Sequence, residues 1–99
     1  MKIIKKTDND TLTLIVEGKL DTATSPELEA VLKNEIKKFS NLVFDFKNLD
    51  YISSSGLRIL LGAQKFMGEQ GMKVINVNDT VYEIFEITGF SLIVDIDRI

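Results

Sequence analysis

The order of apolar and polar positions predicts strands and helices that alternate along the chain. Residues 2–6 are strand-like, and in residues 11–17 apolar side chains occupy every second position, which is typical of a strand with one buried face. The intervening Asp8-Asn9-Asp10 is turn chemistry. We therefore expect a hairpin whose second strand ends at Gly18.

Ser25-Pro26 predicts the start of the first helix, because serine can cap free N–H groups and proline loses no hydrogen bond at the first helical position. Apolar residues then recur at helical spacing as far as Phe39. The members of this predicted buried stripe are Leu28, Val31, Leu32, Ile36 and Phe39.

The middle of the chain reads as a buried strand followed by a buried helix. Residues 42–46 carry apolar side chains on both faces, which predicts a central strand covered on both sides. A helix begins near Ser54 or Ser55 and has a wide apolar surface, with Gly71 as its expected stop. Gly62 lies inside this helix at a cost of about 1 kcal/mol relative to alanine, which predicts a close backbone contact there.

The last third continues the alternation. Residues 72–77 predict a strand, a third helix runs from Asn78 or Asp79 to Gly89, and residues 92–94 predict a final strand. The order is β-β-α-β-α-β-α-β, and β–α alternation favours parallel strands with right-handed crossovers. The predicted fold class is a small α/β domain with a mixed, mostly parallel sheet and helices packed against it.

Composition narrows the possible functions. Ninety-nine residues without a linker or repeat predict a single domain over 1–99. The chain has no cysteine and no histidine, which excludes disulfides, thiolate zinc sites and catalysis by either residue. A net charge of −3 argues against a nucleic-acid partner.

The same sequence predicts neither insertion into a membrane nor export. No apolar run approaches the roughly 20 residues that a spanning helix needs. The start of the chain lacks the apolar centre of a signal peptide. The lack of cysteine suits a reducing cytoplasm, so we expect a cytoplasmic protein.

The most informative stretch is 50–57, where Ser53, Ser54 and Ser55 follow the central strand and open a helix. Ligands and partners usually meet an α/β sheet at this edge. Helix capping and phosphorylation both account for such serines, and both interpretations stay open. Serine catalysis is disfavoured, because the stretch has no G-x-S-x-G or S-x-x-K pattern and the chain has no histidine.

Other polar positions are weaker candidates. Asp21, Asp45 and Asp50 could be read as a metal site, but they lack ligand-loop spacing, and turn capping is the simpler interpretation. No cofactor or metal is therefore expected. Asp45 interrupts an apolar strand and needs a partner, for which N–H groups of the serine loop or Arg58 are candidates. Residues 18–26 are either a structural turn or a surface beside the serine loop.

Two motifs together resemble the STAS domain, the family named for sulphate transporters and anti-sigma factor antagonists. Gly18-x-Leu20-Asp21-x-x-Thr24 matches the family's G-x-L-D-x-x-T. Residues 51–57, Tyr-Ile-Ser-Ser-Ser-Gly-Leu, match its aromatic-hydrophobic-[DS]-S-[STA]-G-L. The order of predicted elements is also similar, so the resemblance covers essentially the whole chain.

The resemblance implies partner switching by a bacterial anti-sigma factor antagonist. The unphosphorylated antagonist binds an anti-sigma factor that is also a serine kinase, and the sigma factor is released. Phosphorylation of Ser54 would abolish binding, and a metal-dependent serine phosphatase would restore it. The resemblance places six further residues in or beside the partner-binding surface, namely Asp21, Thr24, Ser53, Ser55, Gly56 and Leu57.

Two other functions remain as alternatives. A STAS subunit of a transporter or other membrane-associated complex would dock a protein without phospho-switching. An enzyme is the third alternative, and the absence of histidine and cysteine argues against it.

Overall fold

The computed structural model describes residues 1–68 and 71–99. Six strands and three helices lie in this part of the chain. In chain order they are β1 (Lys2–Asp8), β2 (Thr11–Leu20), α1 (Ser25–Glu35), β3 (Asn41–Asp45), β4 (Leu49–Ile52), α2 (Ser54–Met67), β5 (Met72–Val77), α3 (Asp79–Thr88) and β6 (Asp95–Arg98). Short 3₁₀ turns follow α1 at Ile36–Lys38 and α3 at Phe90–Leu92.

The strands form one mixed sheet. β1 and β2 pair antiparallel, which confirms the hairpin, and the sheet continues in the order β1-β2-β3-β5-β6 with every further pairing parallel. β4 pairs in parallel with the end of β2, after an irregularity at Gly18. The predicted class, a mostly parallel α/β fold, is confirmed.

The core lies on one face of the sheet. Alternate residues of β2, β3 and β5 are fully buried against α1, α2 and α3, and Phe44, Phe46, Phe85 and Phe90 form an aromatic chain within this core. Val43 and Asp45 point to the opposite face and are only half-buried. The prediction that this strand is covered on both sides was therefore wrong, because an apolar β-branched residue also suits a half-open face.

Two helix boundaries differ from the prediction. Ser25 is the first residue of α1 rather than its cap, and its buried hydroxyl donates to the carbonyl of Asp21. α2 ends at Met67, where Gly68 has a φ of +83° that favours glycine, so Gly71 is not the stop. Residues 69–70 of the predicted helix lie outside the described residues.

Two strands also differ. β4 was not predicted, because its four residues carry only two buried side chains, Leu49 and Ile52. The final strand is β6 rather than residues 92–94. The left-handed backbone of Gly89 starts a 3₁₀ turn that carries the chain through Leu92 before β6 begins.

The two glycines of α2 play opposite roles. A Cβ on Gly56 would lie 2.8 Å from Leu20 Cγ and 2.9 Å from Ile52 Cγ1, so glycine is required for α2 to approach the strand ends. A Cβ on Gly62 would meet nothing within 4 Å. The close contact predicted at Gly62 is therefore wrong, and it lies at Gly56 instead.

Candidate functional site

The site is built on the turn between β4 and α2. Ser53 is the N-cap of α2, and its Oγ accepts a hydrogen bond from the Gly56 N–H at 3.3 Å. Its own backbone N–H donates to the Leu20 carbonyl at 2.8 Å. Ser53 therefore has the capping role, and it fastens the turn to the end of β2.

The next two serines have different surroundings. Ser54 is the first residue of α2 and is exposed. Ser55 is half-buried, and its Oγ lies 3.1 Å from Thr22 Oγ1. Only the middle hydroxyl of the three is thus both exposed and outside these contacts.

Asp21 and Thr24 form a reciprocal turn before α1. Asp21 Oδ1 accepts from the N–H groups of Ala23 and Thr24 at 3.0 Å each. Thr24 Oγ1 accepts from the Asp21 N–H at 2.9 Å and donates to the Lys19 carbonyl at 2.8 Å. The N–H of Thr24, more than any other group, holds the pKa of the Asp21 carboxyl below its ordinary value.

The sheet brings the two sequence motifs together. Leu20 pairs with Ile52 across β2 and β4, so the Asp21 turn and the serine turn leave the sheet side by side. The Thr22–Ser55 contact then joins them directly. Thr22 was not among the predicted site residues, since its variable position within the first motif gives no signal in the sequence.

An apolar surface borders Ser54 on the side of α3. A depression of about 460 Å³ is lined by Ser54, Leu57 and Arg58 of α2 together with Gly89, Phe90 and Ile93. Leu92 and Ile87 nearby on the chain are 87% and 78% exposed. The sequence predicts a strand at residues 92–94, but in the structure Leu92 ends a 3₁₀ turn, and its side chain therefore faces outward.

The remaining acidic candidates do not join the site. Asp45 Oδ1 accepts from Asn76 Nδ2 and the Lys47 N–H at 3.1 Å each, so its expected partners in the serine loop or at Arg58 were wrong. Asp50 is exposed. Over residues 1–68 and 71–99, no three acidic side chains stand close enough to hold a metal ion.

The serine turn thus combines a helix cap, a contact to Thr22 and one exposed hydroxyl. Within the described ranges, the hydrogen bonds of the three serine hydroxyls involve the backbone or Thr22, and none of these hydroxyls donates to a carboxylate or a lysine amine that could act as a base. A hydroxyl without a base is a poor nucleophile. The described helices also include none with the length and apolar character that crossing a bilayer demands.

Known proteins resemble this chain in sequence and in fold. The anti-sigma-B factor antagonist of Listeria monocytogenes is 29% identical over 99 residues, covering 97% of this chain and 87% of the relative. A crystal structure of an anti-sigma factor antagonist from Mycobacterium paratuberculosis has a TM-score of 0.88 at 20% identity, covering 97% of this chain and 84% of that one. The phosphorylated form of Bacillus SpoIIAA has a TM-score of 0.75 at 17% identity, covering 96% and 90%.

The two structural likenesses show a shared fold. The family model described as the STAS domain matches residues 2–98, nearly the full length of the sequence. Both motifs, the strand order and the matched range lead to one conclusion: the chain belongs to the STAS domain family.

Proposed function

We propose that this chain is an anti-sigma factor antagonist whose binding is switched by phosphorylation of Ser54. The observation that carries the proposal is the exposed Ser54 hydroxyl at the first position of α2, between two serines that already have structural contacts. The curated relatives are anti-sigma factor antagonists, which are regulators and not enzymes. A phosphate at a helix N-terminus is tolerated, since it meets the positive end of the helix dipole.

In this proposal the partner is an anti-sigma factor that is also an ATP-dependent serine kinase. The unphosphorylated chain, as a single cytoplasmic domain, binds it and releases the sigma factor. The kinase then transfers the γ-phosphoryl group of ATP to Ser54 Oγ, and ADP leaves. A metal-dependent serine phosphatase hydrolyses the ester to inorganic phosphate and restores the hydroxyl.

The proposed partner surface combines the two turns. Ser54 and Leu57 would contact the partner directly, with Ser55 at the junction to the first turn. The other proposed residues shape that surface from beneath, because their hydrogen bonds and close packing fix the turns. These positioning residues are Asp21, Thr24, Ser53 and Gly56.

Electrostatics provides the switch. A phosphate adds a charge of about −1.5 to −2 at neutral pH. In a complex it must lose water and it repels acidic groups nearby, and a penalty of about 4 kcal/mol weakens binding roughly a thousandfold. No change of fold is needed, because the modified hydroxyl already faces solvent.

Phosphorylation in vitro tests the site. The wild-type chain is incubated with ATP and each ATP-dependent anti-sigma factor kinase that the source genome encodes, and peptides are mapped by mass spectrometry. We expect one phosphate on Ser54, none on Ser54→Ala, and normal incorporation into Ser55→Ala. Phosphate on Ser53 or Ser55 in place of Ser54 would refute the assignment.

The switch itself is tested by the pair Ser54→Asp and Ser54→Asn, which differ in charge but hardly in shape. Both should keep the wild-type melting temperature within a few degrees. Isothermal titration should show that Ser54→Asp binds the kinase at least about a hundredfold more weakly, while Ser54→Asn stays within about tenfold of wild type. Equal affinities for the two variants would point to a docking module without a charge switch.

A further inference from the structure

Gly62 is exposed in the middle of α2, and the fold itself does not require glycine there. Its backbone has ordinary helical geometry, and a Cβ would meet open space. Glycine is the second-poorest helix former, so almost any other residue would serve the isolated domain better. A residue that weakens its own helix without an internal reason suggests an external contact that needs the space.

The space above Gly62 belongs to a groove between α1 and α2 with a volume of about 430 Å³. Its floor is apolar and well packed, since Leu32 and Ala63 are buried beneath it. Half-buried Ile59 adds apolar surface to the groove, and Phe66 is 56% exposed at its wall. The groove runs up to Ser55 and Thr22, so it adjoins the serine turn.

Charges at the rim indicate what the groove accepts. Glu29 Oε1 and Lys33 Nζ of α1 lie 3.9 Å apart, and as one acid and one base they add no net charge to the rim. Arg58 lines the same groove, and within residues 1–68 and 71–99 it takes part in no ion pair. The rim thus presents one uncompensated positive charge beside an apolar channel, which is complementary to an acidic side chain on an otherwise apolar helix face.

We propose that the groove between α1 and α2 binds an amphipathic helix of the anti-sigma factor, with a small gap at Gly62 that admits its apolar side chains and an acidic residue facing Arg58. This inference rests on the proposed function, because it names a second contact area of the same partner. Helix-in-groove docking uses apolar anchors at i, i+3, i+4 and i+7. The end of the groove at Gly62 and Phe66 lies away from Ser54 and gives the partner affinity that phosphorylation does not directly touch, whereas Arg58 borders both the groove and the depression beside Ser54.

The experiment separates the groove from the switch. Phe66 lies 12 residues beyond Ser54 on the same helix, about 18 Å along its axis. Binding of the purified anti-sigma factor kinase is measured by isothermal titration for Gly62→Gln, which fills the gap, and for Phe66→Ser, which removes the exposed ring. Each should weaken the complex by about tenfold or more, as expected for changes at an apolar docking centre.

Matched controls exclude a folding defect. Gly62→Gln should melt no lower than wild type, because glutamine is the better helix former. Ala30→Gln adds the same side chain at an exposed site of α1 that does not line the groove, and it should bind normally. Arg58→Glu should also weaken the complex relative to wild type, since like charges would then meet. Because Arg58 lines the Ser54 depression too, this variant tests the charge of the partner residue, and Gly62→Gln and Phe66→Ser test the groove.

The outcomes are distinguishable. If Ser54→Asp abolishes binding while Gly62→Gln and Phe66→Ser bind like wild type, the groove inference is wrong and the proposed function stands. If no anti-sigma factor kinase binds the wild-type chain, both fail. Sedimentation showing a wild-type dimer that Gly62→Gln dissociates would assign the groove to a second copy and overturn the inference. If Arg58→Glu binds like wild type, the proposed acidic residue of the anti-sigma factor opposite Arg58 is wrong.

Discussion

At the scale of single residues, three adjacent serines acquire three roles from small differences in position. The Ser53 hydroxyl caps the helix, the Ser55 hydroxyl contacts Thr22, and Ser54 remains exposed to solvent. The two interpretations of the serine stretch, helix capping and phosphorylation, therefore concern different residues. Ser53 caps the helix, and Ser54 is the proposed site of phosphorylation. A one-residue shift along a helix turns a side chain by about 100°, which is enough to separate these environments.

Gly56→Ala should destabilise the fold. The new Cβ would sit under 3 Å from Leu20 and Ile52, which are fully buried and cannot move aside. Overpacking of this kind costs about 1–3 kcal/mol. Urea denaturation followed by circular dichroism measures the loss of unfolding free energy.

The same substitution at Gly62 is the matched control, since both glycines lie in α2. Gly62→Ala meets no neighbour, so it should raise the free energy of unfolding by up to about 1 kcal/mol. Equal signs for the two substitutions would contradict this account of the helix.

At the scale of elements, the site depends on how the ends of strands and helices are joined. β4 is short, yet it places the serine turn beside the end of β2. α3 is fastened to β4 by Asn78, whose Oδ1 accepts from the Val81 N–H at 2.9 Å while its Nδ2 donates to the Leu49 carbonyl at 2.7 Å. One amide thus caps a helix and holds the neighbouring strand.

Substitutions of Asn78 should separate its two hydrogen bonds. Asn78→Ala loses the cap, worth about 1 kcal/mol, and the bond to Leu49, worth about as much again. Asn78→Ser keeps a hydroxyl acceptor for the cap and loses only the donor to Leu49, so its free energy of unfolding should fall about half as far. Chemical denaturation of both variants tests the order, and a serine variant no more stable than the alanine variant would contradict it.

At the scale of the whole molecule, the sheet has one covered and one open face, and ion pairs mark its borders. Glu35 at the end of α1 accepts a hydrogen bond from Lys5 Nζ of β1 at 2.7 Å, and that lysine above all lowers the pKa of the Glu35 carboxyl. Lys73 of β5 lies 3.1 Å from Asp97 of β6, which raises the pKa of the Lys73 ammonium. These pairs cross between elements that are far apart in sequence.

Stability should fall at both ends of the pH range. The pKa values of Asp21 and Glu35 are lowered in the fold, so their contribution is present above the unfolded values near 4 and is lost as pH falls through the folded values. The pKa of Lys73 is raised, so its contribution is complete below about 10 and is lost as pH rises through the folded value.

Melting temperatures across this range test the prediction. Asp21→Asn should flatten part of the acid decline, and Lys73→Met should flatten part of the alkaline decline. The expected changes are modest because all three groups are near solvent. A melting temperature that rises between about pH 5 and pH 3 would contradict the assigned directions.

The amino-acid sequence by itself determined the class of fold and the resemblance to the STAS domain family. Alternating leucines in β2 and the helical stripe of α1 are local patterns that periodicity predicts, although the stripe was predicted to run to Phe39 and α1 ends at Glu35. The two STAS motifs were identified by their resemblance to a known family. The local patterns missed β4, because four residues with two buried side chains carry too little periodicity, and they placed the tight glycine at 62 instead of 56.

Only the tertiary structure decided which hydroxyl faces solvent and what lies beside it. Two contacts join residues that are distant in sequence, namely Thr22 with Ser55 and Leu20 with Ile52. The open space above Gly62 likewise depends on where the other elements lie. Periodicity reports which side of an element is apolar, but not which neighbour it meets. The exposure of a side chain depends on the elements packed around it as much as on the residue itself, so it is fixed only when the chain has folded.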